Sequence, residues 1–212
     1  MKLKNRPPLT EFVAITLRDE IFNGKILPGD RLVEGKISER LGVSRIPVRE
    51  ALHTLASEGI VIIEPRKGAV VARFSEEQIR ELIEVRATLE ALNARLAAER
   101  HDLQQIALLQ SILDEGTKLT EKDNLQRISE LNKSFHDALG EIGANSILRE
   151  IMKSLRERTA LIFRSRDNDY ITKNWREHEA ILKAVIAGDG EMAALLASRH
   201  VYSAAQVAGK SD

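Results

Sequence analysis

The stretch that most constrains the fold is LGVSRIPVREALHTLASEGI, residues 41–60. A helix capped by Ser44 and closed by Gly59 places one apolar stripe toward a core by the three-and-four spacing, namely Val48, Ala51, Leu52, Leu55 and Ala56. Three other side chains follow one another at intervals of four on a different face, namely Arg45, Arg49 and His53. The pattern predicts an amphipathic helix with a basic outer face.

The segments around this helix predict a winged helix-turn-helix. We expect a first helix over residues 9–23, capped by Thr10, and a short second helix over residues 34–41 that ends at Gly42. After Gly59 the sequence IVIIEPRKGAVVARF has two β-branched runs around a turn, which is typical of a two-stranded hairpin. Three helices and a hairpin, with a tight turn before the third helix, form that motif.

The rest of the chain predicts an all-helical bundle. Helical periodicity is interrupted only at short polar segments such as IGAN and AGDG. Six helices follow, near residues 76–99, 102–121, 124–141, 145–165, 170–187 and 189–206, each long enough to pack antiparallel to its neighbours. We therefore predict a mainly α protein with a DNA-binding domain at 1–74 and a helical ligand-binding and dimerisation domain at 75–212.

Composition narrows the functional classes. The chain has no cysteine, so disulfides and thiolate metal sites are excluded. No apolar run is long enough to span a bilayer and no signal peptide is visible, so we expect a cytoplasmic protein without a membrane partner. Residues 1–74 carry 13 Lys and Arg against 9 Asp and Glu, whereas residues 75–212 carry 19 against 23. A basic first third on an acidic body suits a head that binds a polyanion.

The third helix and the hairpin tip have the chemistry of a DNA reader. Arginine donates in pairs to phosphate or to the acceptor edge of guanine, and the first turn of a helix adds free amide donors. A basic hairpin tip reaches a neighbouring groove. The alternative is that these arginines are only solvated or are paired with Glu50 and Glu58. The candidate DNA-binding residues are Arg31, Ser44, Arg45, Arg49, His53, Arg66, Lys67 and Gly68.

The segment LPGDRLVEGKISERLGVSRIPVREALHTLASEGIV, followed by RKGAVV, resembles the DNA-binding domain of the GntR family of bacterial transcription regulators. The resemblance covers nearly all of residues 9–74. It implies DNA contacts by Arg31, Arg45, Arg49 and Gly68. Gly35 departs from the family pattern, since a better helix former is usual there.

The helical remainder resembles the FCD effector domain of the FadR subfamily, through RATLE at 86–90, LNKSFHDAL at 131–139, EHEAILKAVIAGD at 177–189 and SRHVY at 198–202. With six predicted helices rather than seven, this region resembles the shorter VanR-type branch of the subfamily. The resemblance implies a small carboxylate effector, bound beside a metal ion.

Four side chains of this region form a candidate metal site. Asn132 and His136 share a helix face, while His178 and His200 lie on two later helices that an antiparallel bundle brings alongside. Three imidazoles and one oxygen suit a divalent ion such as Zn²⁺ or Ni²⁺. A histidine in a bundle is otherwise a satisfied core residue, but these three coincide with ligand positions that the resemblance implies. The family commonly has aspartate at Asn132, and an amide oxygen is a weaker ligand.

Arg86 falls on an apolar stripe of the first body helix, so it is expected to point inward. A buried arginine needs an anionic partner. Glu90, one turn later, can supply it, which is the structural interpretation. The resemblance implies instead that Arg86 binds the carboxylate effector.

Together these features predict a homodimeric transcription regulator of the repressor type that binds a pseudo-palindromic operator and responds to a small organic acid. Two alternatives stay open at this point. A three-histidine metal site also suits a hydrolase, although no HExxH or nucleophile motif is present, so we do not expect an enzyme. The second alternative is an architectural DNA-binding protein with a purely structural helical domain.

Overall fold

A computed structural model describes residues 7–65, 68–100, 102–119, 125–162 and 168–208. Within them the packing divides the chain into two compact units, Met1–Gln78 with Arg156–Leu161 and Ile79–Leu155 with Ile162–Asp212. The domain boundary between residues 74 and 75 stays a prediction. The mainly α fold class is confirmed.

The first unit has three helices and a small sheet, whose bounds are α1 Leu9–Phe22, β1 Arg31–Leu32, α2 Glu34–Leu41, α3 Arg45–Ser57, β2 Val61–Glu64 and β3 Gly68–Val71. Helix α1 packs on α3, and α2 on α3. The apolar stripe of α3 supplies much of the core, since Val48, Ala51, Leu52 and Leu55 are buried against Leu17 of α1. Burial of each Leu or Val side chain stabilises the fold by about 1.5–3 kcal/mol.

The wing is a three-stranded antiparallel sheet in the order β1-β3-β2, in which β2 and β3 are the two strands of the predicted hairpin and β1 was not predicted. Strand β1 has only two residues, Arg31 pairing with Val70 and Leu32 with Ala69. So short a strand gives no alternating pattern in the sequence, and only the pairing with β3 reveals it.

Two predicted caps differ from what the structure shows. Helix α1 begins at Leu9 after Pro8, and the Thr10 hydroxyl donates instead to Glu50 Oε2 at 2.6 Å, so the prediction of a Thr10 cap was wrong. Ser44 does occupy the position before α3 but makes no capping hydrogen bond with its side chain. The turn between α2 and α3 closes at Gly42, whose φ of 65° is left-handed and favours glycine.

The second unit is helical throughout its described part. Its helices are α4 Glu76–Arg100, α5 Leu103–Leu119, α6 Leu125–Gly143, α7 Ser146–Ile162, α8 Asn168–Ile186 and α9 Gly190–Ala208, of which α4 and α7 extend into the first unit. Helix α5 packs on α6 and α8, and α8 packs on α9. The core between them includes Leu109, Phe135, Leu139 and Ile181. No helix in the described residues is long and apolar enough to cross a membrane.

Candidate functional site

The outer face of α3 is exposed, as the sequence predicted. Arg45, Arg49 and His53 are all solvent-exposed, because the opposite face of α3 packs in the core. Ser44, at the start of the helix, is exposed as well. Their contact with DNA stays a prediction.

A concavity of about 320 Å³ brings several of these residues together. Its lining includes Arg31 from β1, Arg49 and His53 from α3, and Gly68 at the start of β3. Glu34, the first residue of α2, lines it too. Because β1, α2, α3 and β3 all meet there, these four predicted readers share one surface. Arg66 and Lys67 lie outside the described residues.

Arg49 has an acidic partner, but not the one considered from the sequence. Its Nε donates to Glu34 Oε1 at 3.0 Å, and its Nη2 donates to Glu34 Oε2 at 2.8 Å. These hydrogen bonds lower the pKa of the Glu34 carboxyl, which therefore stays ionised near neutral pH. Glu50 and Glu58 are engaged by Thr10 and Arg18 instead.

Gly35 lies against Arg45, another arginine of α3. A Cβ built on Gly35 would lie 3.6 Å from Nη2 of Arg45, so the guanidinium passes directly over the glycine. That distance is an ordinary van der Waals contact, so a Cβ would fit beside the guanidinium.

In the second unit, three histidines from three helices meet. His136 of α6, His178 of α8 and His200 of α9 are all buried, and each offers a ring nitrogen within 4.8 Å of the others. Nε2 of His178 lies 3.3 Å from Nε2 of His200. Two nitrogens bound at about 2.0–2.1 Å to one tetrahedral ion lie about 3.3–3.4 Å apart. The spacing and the donor set therefore fit a divalent metal ion.

Carboxylates lie beside Nδ1 of two of the three rings. Nδ1 of His200 lies 2.9 Å from Glu177 Oε2, and Nδ1 of His136 lies 3.5 Å from Glu90 Oε1. At 2.9 Å the Glu177 carboxylate fixes Nδ1 of His200 as the protonated nitrogen and leaves Nε2 with a lone pair, as in carboxylate–histidine–metal arrangements. The 3.5 Å contact of Glu90 with His136 is an ion-pair distance rather than a hydrogen bond. Both partners were missed from the sequence, because only the packing of the helices pairs Glu90 with His136 and Glu177 with His200.

The third ring is held by aromatic packing. His178 stacks on Phe135 with ring centroids 4.1 Å apart, and it forms a T-shaped pair with Trp175 whose ring centroids are 5.2 Å apart. Burial, and then the neighbouring His200 and His136, hold the pKa of His178 well below its ordinary value. A neutral imidazole is the form that binds a metal ion.

Glu177 is anchored on both oxygens. Ser203 Oγ donates to its Oε1 at 2.8 Å, while Oε2 faces His200. Burial alone would raise the pKa of the Glu177 carboxyl, but the hydrogen bonds from His200 and Ser203 together lower it. The carboxylate therefore carries a negative charge beside the cluster.

Arg86 is buried, as its place on the apolar stripe predicted. Its Nη2 lies 3.6 Å from Glu90 Oε1, the same oxygen that faces His136. Glu90 therefore connects the arginine to the histidine cluster, and both interpretations of Arg86 remain open. Asn132 lies one turn before His136 on α6 and is half-buried, so its role as a fourth ligand stays a prediction.

The first unit is thus a winged helix-turn-helix with a basic outer face, which defines a DNA-binding protein, and the second is a helical bundle around three histidines. Two family descriptions match the chain: "FCD domain" over residues 81–203 and "Bacterial regulatory proteins, gntR family" over residues 9–71. The chain belongs to the GntR family of bacterial regulators with an FCD domain, and it is a DNA-binding transcription regulator of that type.

Individual relatives agree with this assignment. The chain is 28% identical to the HTH-type transcriptional repressor RspR of Escherichia coli K12, over 94% of this chain and 89% of that protein. It is 28% identical to the uncharacterised regulator YdhC of Bacillus subtilis, over 66% of this chain but only 63% of that protein. The structure of McbR/YncC of Escherichia coli superposes with a TM-score of 0.81 at 25% identity and covers 97% of this chain and 99% of that one.

Proposed function

We propose that the chain is a ligand-responsive repressor whose affinity for its operator changes when a small carboxylate binds at a metal ion in the FCD domain. The observation that carries this proposal is the buried three-histidine cluster, with carboxylates behind two of its rings. A purely structural core has no need of three converging imidazoles, whereas FCD domains commonly bind metal ions. The similarity to RspR, which is called a repressor, supports the direction of regulation.

His136, His178 and His200 would hold the ion, with Asn132 as a candidate oxygen ligand. Zn²⁺ or Ni²⁺ suits imidazole donors. When bound, the ion would supply an attraction for an effector carboxylate. Arg86, reached from His136 through Glu90, would add a second cationic group that orients the same carboxylate.

The DNA would be a pseudo-palindromic operator bound by a homodimer in the cytoplasm, with one recognition helix α3 in each of two major grooves. Exposed apolar side chains on α4 and α7 are available for the dimer interface, among them Val85, Leu92, Ile147 and Ile151. An effector would act by binding more tightly to one of two dimer arrangements, since a ligand shifts an equilibrium only through differential affinity.

The test is a titration of the full-length protein against genomic fragments and a random fragment of equal length, at one salt concentration. We expect the operator to bind roughly a thousandfold or more tightly than the random fragment. A panel of small carboxylic acids, each with and without Zn²⁺, should contain one that changes operator affinity by about 5–150-fold.

Similar affinity for all fragments would favour an architectural protein. Turnover of an ester or amide of any acid in the panel, abolished by a chelator, would favour a metal-dependent hydrolase instead. A variant with all three histidines replaced is the matched control, because it should retain operator binding and lose the response.

A further inference from the structure

The bidentate pair between Glu34 and Arg49 uses only one side of the guanidinium. Its Nε and Nη2 donate to the carboxylate, which is the side-on arrangement, and 62% of the Arg49 side chain stays exposed. Arginine has five N–H donors in a fixed plane. The second donor pair, on Nη1 and the outer hydrogen of Nη2, therefore points away from Glu34.

That second pair has the geometry that guanine requires. O6 and N7 of guanine accept two parallel hydrogen bonds from one guanidinium in the major groove. A side chain already held by a carboxylate has fewer rotamers to lose on binding, so its orientation costs less. Glu34 thus leaves the DNA-reading edge of Arg49 available while fixing its direction.

The charge of Glu34 has a second effect in the same place. Among the described residues that line the concavity, Glu34 is the one acid, beside Arg31, Arg49 and His53. A negative charge there repels a phosphate that approaches Arg49 much more strongly than it repels the uncharged acceptor edge of a base. Non-specific binding, which depends on phosphate, is weakened more than base reading.

We propose that Glu34 is a positioning residue that determines specificity: its carboxylate presents the outer edge of Arg49 to a guanine and keeps a phosphate from taking that place. This inference rests on the proposed role of Arg49 as a base reader, and it adds the carboxylate of α2 to the reading surface. Glu34 acts through Arg49 and needs no contact with DNA of its own.

The experiment compares Glu34→Gln with the wild-type protein on two fragments of equal length, the operator found by genomic footprinting and a scrambled version. Glutamine keeps the size and removes the charge. We expect affinity for the scrambled fragment to rise by about two- to fivefold and affinity for the operator to fall. The specificity ratio, which is operator affinity divided by scrambled-fragment affinity, should therefore fall about tenfold or more. Glu39→Gln is the control, because it removes the same charge from an exposed position of α2, and its ratio should fall far less.

Two further measurements separate positioning from a general effect on folding or charge. In the Arg49→Ala background, Glu34→Gln should leave the ratio unchanged, since its partner is absent. When operator guanines are replaced one at a time by 7-deazaguanine, which lacks N7, the wild type should lose affinity at one guanine per half-site. That loss should shrink in Glu34→Gln and vanish in Arg49→Ala.

The outcomes distinguish a failure of the role inferred for Glu34 from a failure of the role proposed for Arg49. If Arg49→Ala lowers the ratio and Glu34→Gln does not, Arg49 is a reader and the inference about Glu34 is overturned. If Glu34→Gln lowers the ratio equally in the Arg49→Ala background, Glu34 acts independently and the inference is again overturned. If Arg49→Ala weakens both fragments equally, Arg49 contacts phosphate, and the proposed reader itself fails.

Discussion

His178 and His200 place their Nε2 atoms 3.3 Å apart, although 22 residues separate them in the chain. Helices α8 and α9 pack along their length, which brings the two rings together in the interior. Glu177 precedes His178 directly but faces His200, because successive side chains on a helix diverge by about 100°. The same turn of α8 therefore supplies one candidate ligand and the group that orients another.

Replacement of His178 by alanine should release the metal ion, because two imidazoles and an amide oxygen make a much weaker site than three imidazoles do. Elemental analysis of the purified protein measures this directly. His53→Ala is the control, since His53 is an exposed histidine of the other unit. Undiminished metal in the His178 variant would contradict the assignment of the site.

Metal should stabilise the folded protein, since the three histidines converge only in the folded state. A metal concentration one hundred times the dissociation constant adds about 2.7 kcal/mol to the free energy of unfolding. Thermal unfolding with Zn²⁺ and after chelation should show this as a rise in Tm for the wild type and little change for His200→Ala. An equal rise in both proteins would place the binding elsewhere.

Glu177→Gln should weaken metal binding without abolishing it. The amide loses the charge that holds His200 Nδ1 protonated, and loss of such a partner costs about 10–100-fold in metal affinity. Competition with a chelating dye gives the affinity. Glu179→Gln is the matched control, because Glu179 lies on the same helix but pairs with Lys183 on the surface. The metal affinity of this variant should equal that of the wild type.

Arg86→Ala should blunt the response to the effector while operator affinity without effector stays normal. The dose response to an acid that shifts the wild type measures this. Because alanine also leaves the buried Glu90 without its arginine, Arg86→Lys is the companion variant, which keeps the charge but loses the planar fork. A normal dose response in both variants would assign Arg86 a structural role.

Arg49→Ala should cost about 1–3 kcal/mol in operator binding and relax the sequence preference at one base pair, if the exposed edge of Arg49 reads a guanine. Fluorescence titration against the operator and its single-base variants measures both effects. Arg40→Ala is a suitable control, because Arg40 is an exposed arginine of α2 that pairs with Glu20. Unchanged affinity would remove Arg49 from the reading surface.

Much of the fold followed from local patterns. The three-and-four spacing located α3 and its buried stripe, and each helix of the second unit ended within about three residues of its prediction. Strand β1 was missed because two residues have no periodicity, and the Thr10 cap was misplaced because the hydroxyl has a tertiary partner, Glu50. Family membership was also predicted from motifs and is confirmed.

The sequence by itself determined which residues are the candidates for chemistry: the basic face of α3, the three histidines and the inward arginine. It did so because helical periodicity assigns a side chain to a face and residue type limits what that side chain can bind. Only the tertiary structure decided their partners, pairing Arg49 with Glu34, His200 with Glu177 and His136 with Glu90. Such pairs join residues of different helices, and their distances depend on how the helices pack, which no local pattern encodes.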